Sequence, residues 1–208
     1  MKSAAEFAIA AGVLTLIPGP DTLLTVRTAL AAGRATALAA TAGISTAVIG
    51  WGCAAGLGLT AALAADPGLY LALRWAGAAY LGWLGLSSIV HGGRWPVEEG
   101  AVQHEPPRGA GLGPAYLRGI LTCASNPKVG VFYLALFPQF IPPGADVLGW
   151  SVLLAGIHAA EGLAWLTIVA TLSRRLGRAL RRRRNRRLAD SVSGAAFLAF
   201  AARLAAGG

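Results

Sequence analysis

Charged side chains are scarce in this sequence. Asp, Glu, Lys and Arg make up 13 % of its 208 residues, whereas hydrophobic residues make up 55 %. The mean hydropathy is +0.59. In a soluble domain roughly a quarter of the residues are charged and cover its surface. This composition therefore excludes a soluble domain for most of the chain. We therefore predict an integral membrane protein.

Cysteine is nearly absent as well. Cys53 and Cys123 each lie inside an apolar stretch, and the sequence has no C-x-x-C pair. A disulfide framework or a metal site built on cysteine is therefore not expected. The phosphate-binding pattern Gly-x-x-x-x-Gly-Lys is also missing, so ATP is not expected to be the direct energy source. We expect no cofactor and no resident metal.

Long apolar segments are what the sequence does contain. A helix rises about 1.5 Å per residue and the hydrocarbon layer is about 30 Å thick, so roughly 20 apolar residues span it. Six segments approach or exceed that length, the last being the shortest: Ala4–Val26, Leu38–Ala64, Leu69–Val90, Leu112–Phe137, Val147–Leu172 and Val192–Ala206. The expected fold is an all-α integral membrane bundle of six transmembrane helices.

Short sequence matches indicate an internal repeat. Ala42-Gly43-Ile44 in the second segment recurs as Ala155-Gly156-Ile157 in the fifth. Gly77-Ala78-Ala79-Tyr80-Leu81 in the third recurs as Gly194-Ala195-Ala196-Phe197-Leu198 in the sixth. The matches keep the same order along the chain, which favours two copies of a three-helix unit.

The same order pairs Pro20-Asp21 in the first segment with Pro127-Lys128 in the fourth. Because each unit has an odd number of crossings, the two copies must enter the membrane from opposite sides, as inverted repeats do. We expect one transmembrane domain over 1–208. It comprises repeat one at about 1–90, a cytoplasmic linker at about 91–111 and repeat two at about 112–208.

Proline interrupts the first segment. Pro18 and Pro20 each remove a backbone N–H, and Gly19 between them adds conformational freedom, so carbonyls around Leu14 lose their helical partners. Irregular backbone at membrane depth is tolerated only against protein or beside a water-filled cavity. The break is therefore a candidate binding site, and Asp21 adds an ionisable group that a simple kink does not need. A proline kink sealed by neighbouring helices is the alternative.

The fourth segment is interrupted at Asn126-Pro127-Lys128. Asn suits an N-cap and Pro the first helical turn, so a new half-helix is expected to begin there. In an inverted repeat the two half-helix N-termini meet near the membrane middle, where their dipoles favour a carboxylate. Asp21 and Lys128 then form a mutual ion pair. Alternatively, Asp21 meets a substrate ammonium or a proton and Lys128 meets the carboxylate.

His158 and Glu161 lie three residues apart and thus on one face of the fifth segment. An intramembrane pair of this kind can relay protons, which makes Asp21, His158 and Glu161 the proton-coupling candidates. A polar pair that only faces the bundle interior is the alternative. One His and one Glu are too few ligands for a metal.

An arginine run at Arg174–Arg187 holds nine of the eighteen basic residues. Because it lies between two apolar segments, the positive-inside rule and anionic lipid headgroups account for it, and nucleic acid is not needed as a partner. This loop is expected in the cytoplasm, with both chain termini on the outer side.

Several motifs together resemble the LysE/RhtB family of lysine, threonine and homoserine exporters. The resemblance covers about residues 4–208, and the motifs that carry it are Leu16-Ile17-Pro18-Gly19-Pro20, Gly33-Arg34, Gly43, Ser125-Asn126-Pro127-Lys128 and Phe137-Pro138-Gln139-Phe140. It implies a six-segment permease of the bacterial inner membrane that exports amino acids or their derivatives by proton exchange. Homodimers are suspected in the family.

Two positions depart from the family pattern. Ala37 stands where many members have Gly, and no acidic residue or His lies near Ala47 and Val48, so Asp21 or Glu161 would serve in coupling. The sequence thus predicts a secondary transporter of amino acids and not an enzyme. The alternatives are a metal-cation exporter of similar architecture, a membrane-embedded enzyme acting on lipid, and a purely structural bundle.

Overall fold

A computed structural model of the chain describes residues 4–65, 67–91, 111–175 and 183–206. Every regular element in those ranges is helical: α1 (Ala4–Leu16), α2 (Pro20–Ala32), α3 (Arg34–Ala65), α4 (Pro67–His91), α5 (Leu112–Ala124), α6 (Pro127–Val131), α7 (Val147–Thr171) and α8 (Arg183–Ala205). After α6 the chain continues through a π turn at Phe132–Leu136 and a 3₁₀ turn at Phe137–Phe140. The predicted linker, apart from its two ends, and the middle of the arginine run lie outside the described residues.

Up to five membrane crossings are present in the described part of the chain. Single stretches of α3, α7 and α8 are long and apolar enough to cross. So are two bent pairs when each is taken as one crossing: α1 with α2, and α5 with the helical segment Pro127–Phe140. α4 does not reach the same hydropathy; it contains Arg74 and several tyrosines and tryptophans. For the described residues, an all-helical fold with several candidate crossings is confirmed, and the six-crossing inverted repeat stays a prediction.

Both predicted helix breaks are present and have nearly the same bend. The bend is 53° between α1 and α2 and 52° between α5 and the helical segment Pro127–Phe140 that begins with α6. Pro20 and Pro127 each occupy the first turn of the helix that follows. Asn126 is the N-cap of α6, and its side-chain oxygen accepts a hydrogen bond of 3.1 Å from the Lys128 backbone N–H, as expected. Gly19 caps α2 in an extended conformation without a side-chain hydrogen bond.

Glycines bring α3 and α5 into backbone contact. A Cβ atom added to Gly43 would overlap the carbonyl of Tyr116, and one added to Gly119 would overlap the carbonyl of Ala40. Neither glycine therefore tolerates a side chain in this arrangement. Within a membrane the hydrophobic effect does not drive helices together, because lipid tails are as apolar as the side chains. Close crossings of this kind stabilise the bundle through van der Waals contact instead.

The first half of the first broken helix, α1, is anchored by aromatic rings. Phe7 of α1 is fully buried, and its ring lies 5.8, 5.6 and 5.4 Å from the rings of Phe132, Phe137 and Phe140. Each such pair contributes about 0.5–1.5 kcal/mol beyond its buried area. Two of these partners belong to the Phe-Pro-Gln-Phe motif, which thereby holds α1 against the segment that follows the second break.

Candidate functional site

The two helix breaks touch each other through Lys128. Its ammonium donates hydrogen bonds of 3.1 Å to the carbonyl of Leu14 and 3.0 Å to the carbonyl of Ile17. The Leu14 carbonyl is the one that Pro18 cannot serve, because proline has no N–H to reach four residues back. A cation from one break thus satisfies the acceptors that the other break leaves open.

Asn126 forms a second connection between the breaks. While its side-chain oxygen caps α6, its amide Nδ2 donates a hydrogen bond of 3.0 Å to Oδ2 of Asp21. The other carboxylate oxygen of Asp21, Oδ1, is shielded from solvent and has no hydrogen-bond partner. Asn126 therefore fixes the Asp21 carboxylate and leaves one of its oxygens unsatisfied.

A small cavity lies at this junction. Its volume is about 40 Å³, and its wall comprises Leu14, Thr15, Asp21, Thr22, Ile44, Val48, Lys128, Val129, His158, Gly162 and Leu166. That volume holds roughly three water molecules. Five helices contribute to the wall, with the two opposite charges beside an otherwise mostly apolar lining.

The remaining residues of the predicted site shape the breaks. Pro20 is buried, Pro127 is half-buried and Pro18 is exposed. A Cβ atom at Gly19 would lie 3.4 Å from the Lys128 ammonium nitrogen, so glycine leaves room for that side chain. All seven predicted residues, Pro18 to Asp21 and Asn126 to Lys128, thus lie at one junction, and their binding role stays a prediction.

The structure gives His158 and Glu161 different surroundings. His158 is buried on the cavity wall, and its Nδ1 shares a hydrogen bond of 3.0 Å with the Tyr133 hydroxyl. Glu161 faces α1, where its carboxylate oxygens lie 3.8 Å from the Cβ position of Gly12. Its Oε2 is buried without a hydrogen-bond partner. The proton relay between the two residues stays a prediction.

Sequence reasoning missed the role of Trp51. Its indole N–H donates a hydrogen bond of 3.3 Å to the carbonyl of Cys123, which lies four residues before Pro127. This carbonyl is the counterpart of Leu14 at the first break, because each precedes a proline by four residues. The indole ring also contacts Gly130, where a Cβ atom would lie 3.1 Å away. The Cys123 carbonyl also accepts a hydrogen bond of 3.1 Å from the Asn126 backbone N–H, so the indole is its second donor, and no sequence pattern indicates it.

The profile of the LysE type translocator family matches residues 13–208. The chain belongs to the LysE family. The match includes both breaks and all seven residues at their junction, and it confirms the resemblance seen in the motifs.

Curated relatives of this LysE family member match it over most of their length. A homoserine/homoserine lactone efflux protein of Salmonella typhimurium is 29 % identical over 193 residues, 93 % of this chain and 91 % of the relative. A threonine efflux protein of Escherichia coli K12 is 30 % identical over 194 residues, 90 % of each chain. An uncharacterised membrane protein of Pseudomonas aeruginosa is 32 % identical over 197 residues, 91 % and 88 % of the two chains.

No solved structure matches this LysE family member. The family profile, the membrane-protein relatives and the apolar helices together identify it as a multi-pass membrane protein of a translocator family.

Proposed function

We propose that this LysE family member is a secondary transporter that exports small amino acids or their derivatives across the bacterial inner membrane. The observation that carries the proposal is the junction of the two breaks, where Asp21 and Lys128 line one cavity and Asp21 keeps an unsatisfied oxygen. The efflux relatives are named for homoserine, its lactone and threonine, which are small and of this chemical class.

An amino acid matches the charges of the junction. Its ammonium group would bind Oδ1 of Asp21, the buried acceptor without a partner. Its carboxylate would bind near the Lys128 ammonium and the N-terminus of α2, where Gly19 provides no side-chain cap and the helix dipole favours an anion. Each charge of the zwitterion is thereby paired with an opposite charge of the site, which lowers the free-energy cost of burying it in a low-dielectric environment.

The inverted repeat explains how such a site reaches both membrane faces. The bends of 53° and 52° at corresponding prolines support two related units. In each unit a side chain from elsewhere donates a hydrogen bond to the carbonyl four residues before the proline: Lys128 to Leu14, and Trp51 to Cys123. Rocking of one unit against the other around the junction would give alternating access. Because the cavity holds only roughly three waters, substrate entry requires such an opening.

The two units differ at one helix crossing, as alternating access requires. Gly43 and Gly119 each lie against the backbone of the opposite helix. Their counterparts in the other unit do not: Gly156 faces open space and Gly12 faces the Glu161 carboxylate. In the opposite state the second crossing would close as the first one opens. This exchange of roles is our proposed conformational cycle.

Proton exchange would use the two carboxylates. Asp21 and Glu161 each have a buried oxygen without a hydrogen-bond partner. Closure of α1 onto α7 at Gly12 would bring helix backbone toward the Glu161 carboxylate, which favours its neutral, protonated form in that state. Release of that proton on reopening would couple the cycle to the proton gradient, with His158 on the cavity wall as the intermediate acceptor.

The orientation follows from the basic residues. We infer that the loop containing Arg174–Arg187 lies in the cytoplasm against anionic headgroups and that both termini lie outside. The linker at 91–111 would then be cytoplasmic as well.

Counterflow in proteoliposomes tests the proposed export. Vesicles loaded with unlabelled threonine, homoserine or another small amino acid are diluted into labelled amino acid, and label should accumulate when the pair is exchanged. Asp21→Asn should reduce accumulation at least tenfold, since it removes the charge that meets the ammonium group. Asp146→Asn is the matched control, because Asp146 is exposed and Asn also serves as an N-cap. Absence of exchange for every amino acid in the panel would overturn the proposal.

A pH-sensitive dye inside the vesicles tests proton exchange. Amino-acid flux should move protons in the opposite direction, and an uncoupler should stop uphill flux. Glu161→Gln should keep counterflow and lose the proton signal, whereas Glu6→Gln, at an exposed position, should keep both. Uphill flux that an uncoupler leaves unchanged would remove proton exchange from the mechanism.

A further inference from the structure

Thr15 has a hydroxyl group that the protein does not satisfy. It lies on the cavity wall in the last turn of α1, and its Oγ1 is buried without a hydrogen-bond partner. Other helical threonines donate to the carbonyl four residues back at 2.8–3.1 Å: Thr25, Thr36, Thr41, Thr46 and Thr171. A threonine at this position of a helix is able to donate the same hydrogen bond to the carbonyl of Ala11, but Thr15 does not do so here. The orientation of the Thr15 hydroxyl thus leaves it available to a ligand.

His158 presents a second polar group to the same cavity. Its ring is held from both sides, stacked on Tyr133 at 5.7 Å between centroids and edge-on to Phe132 at 5.6 Å. Because the Tyr133 hydroxyl occupies Nδ1, Nε2 is the ring atom left for a ligand, and it donates or accepts according to the tautomer. Burial and ring contacts fix its position, so it is a preorganised partner rather than a mobile one.

The other wall residues limit what these two groups can bind. Ile44, Val48 and Leu166 are apolar, and they suit the carbon atoms of a short side chain. In the proposed function Asp21 and Lys128 are occupied by the ammonium and carboxylate groups of the substrate. A charged substrate side chain would then lack a counter-charge on the described wall, whereas a hydroxyl needs only a donor and an acceptor.

We propose that Thr15 and His158 form a subsite that binds a hydroxyl group on the side chain of the transported amino acid. The inference rests on the proposed function and adds the residues that select among substrates. The subsite favours short hydroxy amino acids over apolar molecules of the same shape. Selection of this kind is effective because an apolar substitute leaves the buried polar groups of the site without partners.

Competition against labelled threonine in proteoliposomes tests the subsite. Threonine and valine form the diagnostic pair, because a methyl group replaces the hydroxyl at nearly constant shape. Wild-type protein should prefer threonine at least tenfold. Thr15→Val should reduce the preference for threonine over valine to about threefold or less. The reduction should come from weaker competition by threonine, while valine competes as before. Thr15→Ser should restore the preference.

Thr28→Val is the matched control. Thr28 also has a buried hydroxyl without a partner, but it lies outside the cavity wall, so its replacement should leave the preference unchanged. Tyr133→Phe gives an independent test, since it frees Nδ1 of His158 and should lower the preference without removing the imidazole.

Two outcomes would overturn the subsite and can be told apart. If the wild-type protein exchanges amino acids and Thr15→Val keeps the full threonine preference, or weakens valine as much as threonine, the subsite is wrong and the export function stands. If the wild-type protein exchanges no amino acid of the panel, the proposed function fails and the subsite fails with it.

Discussion

Replacement of Lys128 by methionine removes one of the two groups that connect the breaks while keeping a long unbranched side chain. The ammonium donates to two carbonyls, those of Leu14 and Ile17. A buried acceptor left without its donor costs about 1–3 kcal/mol, so two such carbonyls should lower the free energy of unfolding by about 2–6 kcal/mol. Water entering the junction would keep the loss toward the lower end of this range.

Lys128→Met should also reduce transport, through weaker substrate binding. A charge-assisted hydrogen bond to a carboxylate contributes about 1.5–3 kcal/mol, which corresponds to roughly a 10- to 150-fold loss of substrate affinity. The assay is counterflow over a range of substrate concentrations, beside thermal unfolding in detergent. Insertion should be normal, because none of the apolar crossings is shortened.

Lys128→Arg is the matched control for charge. It keeps the positive charge but carries a planar guanidinium group where a compact ammonium fits beside Gly19, so it should keep partial activity. The reasoning would be refuted by a Lys128→Met protein that inserts normally and exchanges amino acids within twofold of the wild type.

Three further predictions concern packing. Gly119→Ala would place a Cβ against the Ala40 carbonyl, so it should lower the free energy of unfolding by about 1–3 kcal/mol; an unchanged melting temperature in detergent would contradict the tight crossing. Gly156→Leu points into open space, so it should keep the melting temperature yet slow counterflow by preventing closure against α1; full exchange would contradict the proposed cycle. Trp51→Phe removes one of two hydrogen bonds to the Cys123 carbonyl, the other coming from the Asn126 N–H, and should cost about 1 kcal/mol; a melting temperature equal to that of wild type would contradict a stabilising role for the indole hydrogen bond.

Local structure at the breaks could be predicted from the sequence because it depends on neighbouring residues. Proline at positions 18, 20 and 127 removes N–H groups whatever the surroundings, and Asn126 caps a helix through a contact two residues away. The family resemblance could be recognised for the same reason, since most of its motifs are the residues at these breaks and in the turn that follows α6.

The contacts across the junction could not be derived in the same way. The sequence predicts that the breaks meet and that Asp21 and Lys128 have opposite charges, but it does not say which atoms they bind. The structure pairs Asp21 with the Asn126 amide and Lys128 with two carbonyls more than a hundred residues away. Such pairings depend on the rotation of whole helices, which no local pattern specifies.

Packing around the junction could not be predicted from the sequence either. Gly43 and Gly156 occupy matching places in the predicted repeat, yet only Gly43 contacts another helix backbone in the described arrangement. In the proposed cycle each crossing is closed in one state and open in the other, so the residue type alone does not tell which crossing is closed. The orphan hydroxyl of Thr15 is similarly invisible, because most helical threonines bond their own helix.

Thiol labelling at two neighbouring positions of α3 most directly tests the central claim, that substrate binds in the cavity where the broken helices meet. Val48 lines the cavity, whereas the next residue, Ile49, is 41 % exposed on the outer surface of the helix bundle. Each is replaced by cysteine in a Cys53→Ala background, and the buried Cys123 is kept. A small charged methanethiosulfonate should modify Val48→Cys, more slowly when an exchanged amino acid is present, and should leave lipid-facing Ile49→Cys unmodified. Labelling of Val48→Cys that no exchanged amino acid slows, or equal labelling at both positions, would contradict the account.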